Sequence, residues 1–315
     1  MRLRRADGSL ASVRWVAKAA LQGGISLLPN ADSANLLFQR HVTRNLPRNE
    51  ASFLQHAEEG IQHLSMLKAH GGGPTEEVSA YEFGAGWDLV GPLSLYCAGV
   101  EQQTLLDIRP NVRLDLVEHT RNQLYHHHSR LEQLTGRELR LPGVEPIRNL
   151  ADVKDRYGID YLAPRDAATS GLQAESFDLV SSTFTFEHIP AQDIVPILRE
   201  CARLLRSGGL ISCSIDPKDH YSYFDASIGE ENFLRFSERT WRLLNPPLQF
   251  QNRLRGRDYL TLWEQAGLEL VECRQADVSE ERLTAVESMV LAPRFTHYSA
   301  EELVGRDLHL VGRPT

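Results

Sequence analysis

Residues 78–110, VSAYEFGAGWDLVGPLSLYCAGVEQQTLLDIRP, constrain the fold of this chain more than any other stretch. They read as a short strand, a glycine turn, a helix and a second strand that ends at Asp107. Gly84 and Gly86 carry no Cβ, so the backbone can turn sharply and come close to a ligand. The helix that follows points its free N–H groups into the same crevice. Asp107 lies about 20 residues beyond the turn, where a carboxylate can accept hydrogen bonds from ribose hydroxyls. The pattern suits a nucleoside-bearing ligand; an ordinary glycine turn before a helix is the bland alternative.

The spacing of the glycines narrows the ligand. A dinucleotide fingerprint, G-x-G-x-x-G, needs a third small residue for close helix–strand packing. Leu89 occupies that place, and Gly91 comes two residues too late. Glu82 stands two residues before Gly84. An acid there suits an ammonium group better than a pyrophosphate. An adenosyl amino acid is therefore favoured, and an NAD(P)-dependent oxidoreductase stays as the competing reading.

Residues 1–75 carry helical patterning. In 51–70, Leu54, Ala57, Ile61, Leu64 and Leu67 recur near helical spacing. The run Gly71-Gly72-Gly73-Pro74 then breaks the chain, so a boundary is expected at about residue 75. From residue 76 to 315, strand and helix patterns alternate, the mark of a doubly wound, mostly parallel α/β sheet. Seven strands are expected, at 79–83, 103–108, 159–162, 177–182, 210–215, 268–273 and 307–311. Helices are expected at 88–98, 111–134, 192–205 and 257–266. Between strands five and six, residues 216–255 form an aromatic, helical insertion placed to cover substrate, since it follows a strand's carboxyl end. A subdomain that merely buries its own rings is the other reading, and both can hold.

Further motifs stand in register with the first. The segment 176–190, SFDLVSSTFTFEHIP, and the helix-to-strand run 197–214, ILRECARLLRSGGLISCS, follow in order. Together with E-x-G-x-G at 82–86 and Asp107, they resemble the class I S-adenosylmethionine-dependent methyltransferases over 78–314. Arg206-Ser207 replaces the usual Lys-Pro, a mild departure. The resemblance implies a Rossmann-like fold with S-adenosylmethionine as cofactor. It places Glu82, Gly84, Gly86 and Thr183 around the cofactor, Asp107 at its ribose, Ile108 against adenine, and Asp166 and Ala167 at the adenine amino group. It implies methyl transfer to a small-molecule acceptor, more readily a sugar or secondary-metabolite oxygen than a nitrogen. A non-catalytic member that keeps the cofactor as a scaffold is a further alternative.

Two histidines are candidate bases. His220 follows strand five, and its ordinary pKa of about 6.5 suits proton abstraction near neutrality. His188 follows strand four but precedes Pro190 at a helix start, where a structural role competes. Tyr221 and Arg253 are the expected substrate contacts. Arg253, Arg255 and Arg257 suit an anionic acceptor, or form a solvated basic face. Asp216, Asp219 and His220 offer ligands to a divalent cation, but the reading adopts no metal. His126, His127 and His128 are consecutive within one expected helix, so they diverge and make no site.

A net charge of −8 argues against non-specific nucleic-acid binding. Four scattered cysteines fit a reducing cytoplasm. Arg2, Arg4 and Arg5 precede an apolar stretch interrupted by Arg14 and Lys18, which reads as an amphipathic helix packed on the domain and not as a membrane span. These N-terminal helices cap the pocket or form a homodimer contact; the sequence leaves both open.

Overall fold

In the computed structural model, which describes residues 14–43, 45–73 and 77–315, all seven expected strands form and join one sheet. They are β1 (Ser79–Phe83), β2 (Gln102–Leu106), β3 (Ile159–Leu162), β4 (Phe177–Thr183), β5 (Leu205–Ile215), β6 (Leu268–Gln275) and β7 (Leu308–Pro314). Their order across the sheet is β3-β2-β1-β4-β5-β7-β6. The first five run parallel, and β7 is antiparallel to both of its neighbours. Every residue of β1 is buried, because helices cover both faces and leave no strand position facing water. Strand order reverses between β1 and β4, which opens a crevice at their carboxyl ends.

Before the sheet come α1 (Arg14–Ile25), α2 (Ala31–Phe38) and α3 (Glu50–His70). The Asn49 side chain starts α3 by accepting from the Ser52 N–H at 2.9 Å. The domain boundary expected at residue 75 does not separate α3 from the sheet. Phe53, Ala57 and Ile61 pack with Leu93, Leu105 and Val117. Leu64, Met66 and Leu67 pack with Val78, Leu179 and Leu210. Burying each large apolar side chain contributes about 1.5–3 kcal/mol, so this helix belongs to the main core. Gly71–Gly73 is then a tight link whose Gly72 N–H donates to Gly208 at 3.0 Å, while Pro74 lies outside the described residues.

Within the sheet region α4 (Val90–Cys97) follows the glycine turn. It crosses α3 where Gly60 meets Gly91; a Cβ on Gly60 would stand 2.8 Å from the Gly91 Cα. The single helix expected over 111–134 is two, α5 (Leu114–His126) and α6 (His128–Thr135), broken at His127. A helix not read from the sequence, α7 (Leu150–Tyr157), is capped by Asn149 and stopped by Gly158 in the left-handed region. Helix α8 (Ala191–Leu204) turns Ile194, Ile197, Leu198, Cys201 and Leu204 onto the opposite face, against Tyr81, Val180 and Ile211.

The insertion after β5 contributes α9 (Glu238–Leu244) and leads into α10 (Gly256–Gln265). Its rings form a separate core with α1 and with the segment after β6, which holds α11 (Glu280–Glu287) and α12 (Ala300–Leu303). Trp15, Tyr221, Phe233, Trp241 and Phe295 meet there. No helix among the described residues is long and apolar enough to cross a membrane. Arg2, Arg4 and Arg5 lie outside those residues.

Candidate active site

The crevice between β1 and β4 is built by the glycine turn. Gly84 and Gly86 hold φ of 78° and 76°. The Gly84 N–H donates to Leu106 at 2.9 Å, tying the turn to the end of β2. A Cβ on Gly84 would stand 2.4 Å from the Thr185 side chain. Leu89, in the place of a third fingerprint glycine, has φ of 53° and is wholly buried in the core. The close approach that a dinucleotide needs there is filled by packed side chain.

Two buried acids flank the turn. Glu82 lines a cavity with Gly84, Gly86, Gly91, Thr183 and Phe184. Its carboxyl has no hydrogen-bond or ion-pair partner among the described residues, since Arg48, on the same wall, pairs with Asp88 at 2.7 Å. Burial, and then the nearby Asp107 charge, push Glu82 up to about 8. Burial raises Asp107 to about 7, against the pull of the Tyr161 hydroxyl at 3.3 Å and the Gly86 N–H. Both acids gain if a cation or hydroxyl donor arrives. This donor set fits the ammonium and ribose of an adenosyl amino acid, and it repels a pyrophosphate.

The remaining expected cofactor residues stand at the carboxyl ends of β2, β3 and β4. Ile108 follows Asp107 and is 70% exposed. Asp166 and Ala167 open a short 3₁₀ turn after β3, with one Asp166 oxygen accepting from the Ala168 N–H at 2.8 Å. Thr183 ends β4, and its Oγ1 lies 3.0 Å from His63 Nε2. His63 Nδ1 bonds the Ser212 hydroxyl at 2.8 Å, which also meets His309 Nε2 at 2.8 Å. This buried chain fixes the Thr183 side chain from behind. Burial and the neighbouring His309 hold His63 down at about 3, so it stays neutral.

A second cavity, of about 320 Å³, reaches from Trp87 and Asn111 beside the turn to His188 and His220. Helices α1 and α2 roof it with Lys18, Gln22 and Asn35, and the insertion adds Leu248 and Gln249. His188 and His220 meet edge-to-face, with ring centroids 5.0 Å apart. His188 Nδ1 is 2.7 Å from the Phe250 carbonyl, so it carries the proton in the neutral ring and leaves Nε2 free. Burial, and then His220, lower His188 to about 4. His220 Nε2 lies 3.2 Å from Asp216 Oδ2, and the same oxygen accepts from the Tyr223 hydroxyl at 2.5 Å. Burial would raise Asp216, but His220, Lys218 and Tyr223 bring it down to about 2. Burial lowers Lys18 to about 8, partly offset by Asp219.

Several expected site residues are elsewhere. Tyr221 is 2% exposed, its hydroxyl donates to Leu244 at 2.8 Å, and its ring packs on Trp15, so it does not meet substrate. Arg253 is equally buried, pairing with Glu238 at 2.6 Å and donating to the Phe233 carbonyl at 2.8 Å. It joins the insertion's strands of chain together instead of receiving an acceptor. Arg255 donates to Pro217 at 2.6 Å inside the same core, and Arg257 pairs with Glu302 at 2.9 Å at the surface. Asp219 is fully buried, where it accepts from the Tyr221 N–H at 2.9 Å and from the Asn232 side chain at 3.3 Å. His127 and His128 bond Gln123 and Leu139 separately and converge on nothing. Sequence reading missed Lys18, Asn35, Trp87, Asn111 and Glu187; only Glu187 and Trp87 stood inside motifs already quoted.

Residues 129–213, from α6 to near the end of β5, match a family model described as a methyltransferase domain. No curated protein matches the sequence. Among solved structures, a Galdieria sulphuraria protein with a provisional name as a sarcosine dimethylglycine methyltransferase is 16% identical, with a TM-score of 0.44 over 83% of this chain and 86% of that one. A SAM-dependent methyltransferase from Methanosarcina mazei is 13% identical, with a TM-score of 0.43 over 76% and 93%. An S-adenosylmethionine-dependent methyltransferase from Mesorhizobium loti is 13% identical, with a TM-score of 0.38 over 79% and 96%. Such distant likenesses carry no substrate across to this chain.

Proposed function

We propose that this chain, a class I S-adenosylmethionine-dependent methyltransferase, places the cofactor's methyl group on a hydroxyl oxygen of a small, polar acceptor such as a sugar. The observation that carries this is the His188–His220 pair in the wall of a cavity that begins at the glycine turn. When bound, the cofactor supplies a methyl group on a sulfonium that is already a good leaving group. The protein's share is to bind, align and manage one proton. Glu82 answers the cofactor's ammonium, Asp107 its ribose hydroxyls, Ile108 its adenine face, and Asp166 and Ala167 its adenine amino group. Holding acceptor and cofactor in line can lower the barrier by about 7–11 kcal/mol at most.

The oxygen preference follows from the proton. A free amine needs no base, whereas a hydroxyl must lose its proton, and a positioned base contributes roughly 10²–10⁴-fold. The histidine pair stands in the wall where that proton would leave. The sugar preference follows from the lining: the amides of Gln22, Asn35, Asn45 and Asn111 share the cavity wall with the flat rings of Trp87 and Phe38. Such a mix of planar ring and amides suits hydroxyl-rich acceptors. In this reading the protein works in the cytoplasm, where four free cysteines are stable, and takes no nucleic acid. It pairs with a second copy through the exposed leucines of α1 and α2.

Replacing His220 by Ala tests the placement. Turnover with the acceptor should fall by roughly 10²-fold or more, while affinity for S-adenosylhomocysteine stays the same. Undiminished turnover would remove the histidine pair from the reaction.

A further inference from the structure

Beneath the histidine pair lies an acid for which neither fold nor cofactor gives a use. Glu187 is 1% exposed, and neither of its carboxylate oxygens accepts a hydrogen bond of good geometry. Its backbone is fixed from both sides, since the Asn252 side chain donates to the carbonyls of Phe186 at 2.7 Å and Ile189 at 2.8 Å, and the Asn252 backbone N–H donates to the Glu187 carbonyl at 2.7 Å. His220 Nε2 is also buried without a well-directed hydrogen bond, despite its approach to Asp216. One donor atom each from Glu187, His188 and His220 lie within 4.8 Å of one another. Buried polar atoms left without partners are rare in folded proteins, and three groups converging in one place call for something that satisfies them together.

We infer that Glu187, His188 and His220 form a binding site for a divalent first-row metal ion at the acceptor end of the cavity. Ligand atoms about 2.0–2.2 Å from an ion stand roughly 3–4 Å apart, so small side-chain rotations close the site. His188 already has the outer contact that metal-binding histidines use: its Nδ1 is fixed on the Phe250 carbonyl and its Nε2 is left for the ion. Two imidazoles and one carboxylate select zinc, manganese, iron(II) or cobalt(II) over the all-oxygen preference of magnesium and calcium. Burial, with Asp216 adding to it, drives the Glu187 carboxyl well above its ordinary range.

Three protein ligands leave further coordination positions, and the cavity lies on that side. The ion therefore deepens the reading of a hydroxyl acceptor, on which its role in the reaction rests. An acceptor hydroxyl bound there loses its proton to solvent more easily; the oxygen lone pair then takes the methyl, and the electrons of the carbon–sulfur bond remain on sulfur. In this form both imidazoles hold the ion, and neither needs to act as the base.

The whole protein, stripped with a chelator, should be titrated with cobalt(II) by visible absorption and with zinc(II) by calorimetry. One ion per chain is expected. Glu187→Gln copies the shape of the protonated acid and should fold, as unchanged S-adenosylhomocysteine affinity would confirm; His188→Ala is the second variant. Each should weaken metal binding at least about 10-fold. Absence of stoichiometric binding, or binding indifferent to both variants, overturns the site. The two readings fail separately: chelator-resistant methylation of a hydroxyl leaves the function and removes the ion, whereas metal binding without hydroxyl methylation does the reverse.

Discussion

At the scale of single residues, Gly84 and Gly86 look alike in sequence and differ in consequence. Both sit in the left-handed region, where a side chain costs about 1–2 kcal/mol. A Cβ on Gly86 meets nothing within 4 Å, but one on Gly84 collides with Thr185. Gly86→Ala should therefore lose about 1–2 kcal/mol of stability, and Gly84→Ala at least about 1 kcal/mol more. Equal losses in chemical denaturation would show that the turn yields to the extra methyl. Glu82 makes the ligand-free protein sensitive to pH. Its carboxyl titrates at about 8 when folded and near 4.3 when unfolded. Between those values the folded chain keeps a proton that the unfolded chain has lost, so stability falls as pH rises through that window, by on the order of a few kcal/mol. Asp107 and Glu187 have the same sign. Glu82→Gln should thus flatten, without abolishing, the decline in melting temperature from about pH 5 to 8; an unchanged slope would put the proton elsewhere. Glu82 and Asp107 could be read from the sequence because their places are set by backbone geometry a few residues away. Tyr221 and Arg253 could not, because a loop's sequence does not say which way its side chains turn.

At the scale of elements, α1 joins the sequence-distant insertion to the cavity. Trp15 packs on the rings of Tyr221 and Phe236 at 5.6 and 5.5 Å, and Lys18 and Gln22 on the next turns line the second cavity. Trp15→Ala removes that anchor, a change that costs about 3–5 kcal/mol when fully expressed. Because α1 packs in a core separate from the sheet's, the expected effect is a several-fold rise in acceptor KM with little change in cofactor affinity. An unaltered KM would mean that the roof does not touch the acceptor. The alternation of strand and helix was legible because periods of two and 3.6 differ sharply over 5 to 15 residues. Helix α7 escaped notice because its buried residues, Val153 and Tyr157, span one turn only. Glu187 was in plain view within FEH, but its meaning depends on His220, which the chain reaches 33 residues later.

At the scale of the whole molecule, the contact proposed with a second copy uses Leu21, Leu27, Leu28, Leu37 and Val42, all on or near α1 and α2 and more than half exposed. Light scattering should give the mass of two 35.5 kDa chains, and Leu27→Lys with Leu37→Lys should return one. A single-chain mass for the unmodified protein would refute the pairing.

The position of β7 sets the order in which the molecule can be completed. It lies between β5 and β6, yet it follows both along the chain. A nascent polypeptide that has left the ribosome only as far as residue 307 can align its five parallel strands, but β6 then has no neighbour to dock on. The edge of β5, with its row of open peptide groups, stays uncovered until β7 arrives. That interval during synthesis is when this protein is most open to pairing with the wrong strand, and when a chaperone would have the most to shield.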